Sequence, residues 1–69
     1  MEVIKLREDF IKLGKALKAA GFVEDGVKAK IEIQEGNVYV NDEVDTRRGR
    51  KLYDGDIVSF NGNKIKIEK

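Results

Sequence analysis

The chain has 69 residues, 41% of them hydrophobic and 39% charged, with a net charge of +1 and neither cysteine nor histidine. This length allows one domain with a thin core, because a chain so short buries only about 60% of its unfolded surface. The missing residue types exclude disulfides, thiolate or imidazole metal sites, and the commonest general base.

Glu2 to Leu6 mixes β-branched residues with charges and reads as a strand. Glu8 and Asp9 then place acid where a helix N-terminus favours it, with Asp9 as the expected cap. Phe10, Leu13, Leu17 and Ala20 follow at helical spacing, and Gly21 with the apolar Phe22 and Val23 beyond it predicts a glycine C-cap. Gly14 inside this helix lowers its stability by roughly 0.5–1 kcal/mol relative to alanine, which predicts a close approach by another element or a backbone contact to a ligand. Lys12, Lys15 and Lys18 read as ordinary surface. The first twenty residues hold eight charges and no long apolar run. They predict neither a leader nor a membrane span, and the chain is expected in the cytoplasm.

The next segment gives two conflicting signals. Val27, Ala29, Ile31 and Ile33 alternate with polar residues, which is a strand period. Yet the residues themselves are good helix formers, with Asp25 at an N-cap position and Gly36 just past the end. After Gly36 the pattern is β. Val38, Val40 and Val44 flank an Asn41-Asp42 turn, Asp56 to Phe60 is a strand, and Asn61-Gly62 joins it to the alternating Lys64 to Glu68. Helical segments followed by short strands make an α+β domain spanning residues 1–69.

Arg47, Arg48, Arg50 and Lys51 surround Gly49, and without these four the net charge would be −3. The positive charge is therefore concentrated. Arginine grips phosphate through two parallel bonds and stacks on bases, so such a cluster suits a nucleic-acid backbone. Lys28, Lys30 and Gln34 precede it; as a helix the segment separates Lys28 from Lys30 by about 200° around the axis. An RNA surface therefore needs at least one of these lysines to share a face with the arginines.

From Gly21 to Asp56 the chain reads GFVEDGVKAKIEIQEGNVYVNDEVDTRRGRKLYDGD. This stretch resembles the S4 domain family, the alpha-L RNA-binding motif, and the whole chain looks like its small stand-alone bacterial members. The resemblance runs from the first helix to Ile67. It implies that residues after Gly21 are helical, and that two packed N-terminal helices lie against a small, mostly antiparallel, curved sheet. It also implies a non-catalytic protein, without cofactor, that binds structured RNA of the ribosomal or transfer RNA class, and with it the ribosome. It sets the binding surface on the second helix and the arginine loop, where the candidate residues are Lys28, Lys30, Gln34, Arg47, Arg48, Arg50 and Lys51; the chain is expected to be a monomer with no membrane partner. Two positions depart from the family pattern. Asp25-Gly26-Val27 stands where serine followed by glycine or arginine is frequent, and Asn41-Asp42 stands in place of Asn-Gly.

Other readings use the same residues. A protein-interaction adaptor would set the basic loop against an acidic partner. A β-grasp carrier fits the size and the VYVNDEV strand, but such carriers need a C-terminal Gly-Gly, and this chain ends Ile67-Glu68-Lys69. Tyr39 and Tyr53 read as packed rather than base-stacking residues. The acidic residues from Asp42 to Asp56 lack the spacing of a calcium loop.

Overall fold

In a computed structural model describing residues 1–69, Glu2–Lys5 forms β1 and Ile11–Lys12 forms β2. Helices α1, Leu13–Ala19, and α2, Gly26–Gln34, follow. Then come β3 (Val38–Val40), β4 (Glu43–Val44), β5 (Lys51–Leu52), β6 (Ile57–Phe60) and β7 (Asn63–Glu68). The main sheet has the order β1-β7-β6-β3-β4, with β1 and β7 parallel and the other pairs antiparallel. Its core face shows most clearly in the alternation along β3 and β7. Val38 and Val40 point inward with Tyr39 outside, and Ile65 and Ile67 inward with Lys64 and Lys66 outside. Against these side chains pack Leu13, Ala16 and Leu17 of α1, and Ala29 and Ile33 of α2. Burying each of the larger aliphatic side chains contributes roughly 1.5–3 kcal/mol. This is the α+β architecture, two helices against a mostly antiparallel sheet, that the pattern and the resemblance predict.

The second segment is helical, and its ends explain why. Asp25 accepts a hydrogen bond from the Lys28 N–H at 2.8 Å, satisfying one free donor of the first turn. At the other end Gly36 has φ +82°, with Gly36 N–H donating to Ile33 O and Asn37 N–H to Glu32 O. Gly21 closes α1 in the same way: its φ is +76°, and Phe22 N–H donates to Leu17 O. These paired bonds are the glycine stop that leaves the helix with its last carbonyls satisfied. Asn41 and Asp42 both take the left-handed conformation, as the turn residues predict.

The start of α1 differs from the expectation. Asp9 is not its cap; its carboxylate pairs with Lys69 Nζ at 2.6 Å. The helix begins at Leu13, and Lys12 at the cap position makes no side-chain cap bond. Residues 11 and 12 are instead a short strand paired with β5, Ile11 opposite Leu52 and Lys12 opposite Lys51. This pairing carries the arginine segment onto the N-terminus of α1, where Leu13 N–H donates to Arg50 O at 2.8 Å and Gly14 N–H to Arg48 O at 3.0 Å. Loop carbonyls thus satisfy donors that a side-chain cap usually takes.

Candidate nucleic-acid interface

The loop between β4 and β5 is built around a buried carboxylate. Asp45 is 6% exposed. It accepts from the Arg47 backbone N–H at 2.9 Å, from Arg47 Nε at 3.1 Å and Nη2 at 2.8 Å, and from Arg50 Nη1 at 2.9 Å. The Arg47 side chain, bonded to it, holds the Asp45 carboxyl well below the usual carboxylate range; burial opposes this, and the Arg47 backbone and Arg50 add to it. The carboxylate in turn raises the Arg47 guanidinium above its ordinary value. No buried side-chain polar atom in the molecule lacks a partner. Two of the three arginines are thus engaged within the loop.

Arg48 has no acidic partner. Its stem lies on the backbone of α1: a Cβ added at Gly14 would sit 2.7 Å from Arg48 Cγ and 3.3 Å from Cδ. The close approach expected of Gly14 is therefore with this arginine. Beside it opens a groove of about 650 Å³ between α1, α2 and the loop, floored by Gly14, Ala19, Gly26 and Ala29 and rimmed by Lys12, Lys15, Lys18, Arg48 and Gly49. None of these four cations is in an ion pair, and no carboxylate lines the groove. Four unopposed charges around one concavity focus a positive field there.

Lys12, Lys15 and Lys18, which read as ordinary surface in the sequence, thus belong to the groove. A signal for them is present in the sequence: three lysines at three-residue intervals, with no acidic residue between Phe10 and Phe22. The other expected residues are distributed unequally. Lys30 is exposed and unpaired, one turn after Gly26 and so about 40° from it around the axis. Gln34 continues that flank of α2 and is also exposed. Lys28 lies on the other flank, its Nζ 3.5 Å from Glu32 Oε2. Glu32 lines a separate cleft with Tyr39 and Phe60. Lys51 places its Nζ 4.8 Å from the centre of the Phe10 ring. Arg47, Arg50 and Lys51 line a second, shallower cleft with Tyr53 and Asp56, which adjoins the groove at Gly49.

Comparison with known proteins agrees with this architecture. "Probable ribosome maturation protein RlbA" of Bacillus subtilis is 48% identical over 59 residues, covering 86% of this chain and 83% of that protein. YbcJ of Escherichia coli K12 is 40% identical over 57 residues, covering 83% of this chain and 81% of that one. The solution structure of YbcJ, described as revealing an alpha-L motif involved in RNA binding, aligns with a TM-score of 0.76. That alignment has 36% identity and covers all of this chain and 89% of that one. The S4 domain matches residues 4–68. With its helices, sheet and intervening loop in that arrangement, the chain belongs to the S4 domain family.

Proposed function

We propose that this protein binds structured RNA, of the ribosomal or transfer RNA class, without catalysing a reaction on it, and acts as a monomer in the cytoplasm. The observation that carries this reading is the groove of four unpaired cations between the helices and the arginine loop. Such a surface matches a folded RNA backbone, whose phosphates are dense and fixed in space. Arg48, Lys12, Lys15 and Lys18 make the central contacts. Lys30 and Gln34 extend them along α2, and Arg47, Arg50 and Lys51 flank them beyond the loop crest. Lys28, opposed by Glu32, contributes least. The names of the relatives, a ribosome maturation protein and an RNA-binding motif, point the same way.

The test is binding to ribosomal RNA fragments and transfer RNA across a salt series. Affinity should fall steeply with salt, and Arg48→Ala should reduce the slope of log K against log salt by about 0.7–0.9, one phosphate contact. Binding that survives replacement of Lys12, Lys15, Lys18 and Arg48 together at unchanged affinity defeats this reading.

A further inference from the structure

Two concavities adjoin the arginine loop, and they differ in charge and in what lies beside the charge. On the helix side four cations face no acid. A second cleft of about 550 Å³, adjoining the groove at Gly49, is lined by Arg47, Gly49, Arg50, Lys51, Tyr53 and Asp56. There Arg47 and Arg50 already share Asp45, and Asp56 adds a second carboxylate. Three cations against two carboxylates leave a surplus of a single positive charge. An RNA duplex carries its charges at least as densely as DNA, which has about one per 1.7 Å of axis, so its backbone belongs in the helix-side groove. A surplus of one matches one phosphate.

What this second cleft adds is an aromatic ring. Tyr53 is 49% exposed. Its ring leans on Phe10, with centroids 6.2 Å apart and planes at 53°, and the Lys51 ammonium sits over Phe10 in turn. The Tyr53 backbone N–H donates to Asp56 Oδ2 at 2.8 Å. The residue is thus held from one side and by its main chain while half its surface meets solvent. A ring already ordered gives up little entropy when a base stacks on it. Gly49 lines both the groove and the cleft, so the residue at which they meet carries no side chain.

We infer that the Tyr53 side of the loop seats one unpaired nucleotide of the bound RNA, its base stacked on Tyr53 and its phosphate between Arg47 and Lys51. The inference rests on the RNA reading above and narrows it: the preferred target is a duplex adjoining an unstacked nucleotide, with paired phosphates in the helix-side groove and the strand crossing at Gly49.

Two probes test it at one fixed low salt: a blunt RNA duplex, and the same duplex with a short unpaired adenosine tail. The tail should tighten binding about 5- to 150-fold, the range that base–aromatic stacking supports. Tyr53→Leu, which keeps an apolar side chain against Phe10, should abolish that gain while affinity for the blunt duplex holds; Tyr53→Phe should retain the gain. In a Tyr39→Phe background the remaining tyrosine fluorescence should respond to the tailed RNA and not to the blunt one. Equal wild-type affinity for the two RNAs overturns the inference and leaves the groove standing. A tail effect that persists in Tyr53→Leu also overturns it. Failure of both RNAs to bind removes the RNA reading itself, and this site with it.

Discussion

Asp45 sits in an unusual position for a carboxylate: nearly buried, yet receiving hydrogen bonds from two guanidinium groups and a backbone amide. Hydrogen bonds to charged groups contribute more than neutral ones, and leaving a partner unmatched costs its desolvation as well. Asp45→Asn keeps the shape but turns a donor towards donors. It should cost about 2–4 kcal/mol, which in a domain of this size lowers the melting temperature by more than about 10 °C. The pH dependence has a definite sign. Because the folded-state pKa is lowered, the stability from Asp45 is complete above its unfolded value near 4 and declines as pH falls through the folded value. Melts of wild type and Asp45→Asn should therefore converge below about pH 4 and stay separated from there to neutrality. Parallel curves down to pH 2 would show that charge is not what Asp45 supplies. The sequence displays Asp45 two residues before Arg47, but nothing in that spacing says the aspartate is buried. Burial follows from its position after β4, where Asp45 N–H reaches Val38 O.

At the scale of elements, the join between α1 and the arginine loop decides how Arg48 is presented. Gly14 N–H donates to Arg48 O while its missing side chain leaves room for the Arg48 stem. Alanine at position 14 should add helix propensity, up to about 1 kcal/mol, but only if its Cβ meets no obstacle. With Arg48 present the added carbon collides with Cγ, near the root of the side chain, so the arginine must swing away. In the Arg48→Ala variant that obstacle is gone, and the next nearest loop atom is the carbonyl oxygen at 3.6 Å, an ordinary contact. Gly14→Ala should consequently be neutral or destabilising in the wild type and stabilising by roughly 0.5–1 kcal/mol in Arg48→Ala. Urea unfolding of the four proteins of this cycle reads the coupling directly. The same sign in both backgrounds would mean that Gly14 has no part in placing the arginine. Legibility at this scale follows the range of the cause. The ends of α2 are written locally, in Asp25 and Gly36, and the capping signals outweigh the misleading alternation from Val27 to Ile33. The beginning of α1 is not local: Ile11 and Lys12 become a strand because Lys51 and Leu52 pair with them, and no pattern within residues 9–13 reveals a partner so far along the chain.

Across the whole molecule, the balance of charge conceals its separation. Lysines on the outer face of the sheet differ from those of α1 in surroundings. Lys66 lies 3.8 Å from Glu68, and Lys64 and Lys66 alternate with the buried Ile65 and Ile67, so they stand on the face turned away from the helices. Lys15 and Lys18 rim the groove with no acid among its lining residues. The run of arginines is conspicuous in the sequence, but the groove exists only once α1 and the loop are brought together; that is why sequence reading finds Arg48 and passes over the lysines beside it. Two double variants, Lys15→Ala with Lys18→Ala and Lys64→Ala with Lys66→Ala, change the net charge equally and remove no core side chain. If affinity came from overall charge, both would weaken RNA binding alike. If it comes from counterions released at fixed contacts, each groove lysine carries about 0.7–0.9 of the salt slope, and losing two should cost on the order of 10- to 100-fold near 0.1 M salt. The sheet variant should stay within about twofold, since charges beyond a Debye length of ~10 Å are screened. Salt titrations of the two variants side by side separate the alternatives, and equal losses would place the RNA somewhere other than the groove.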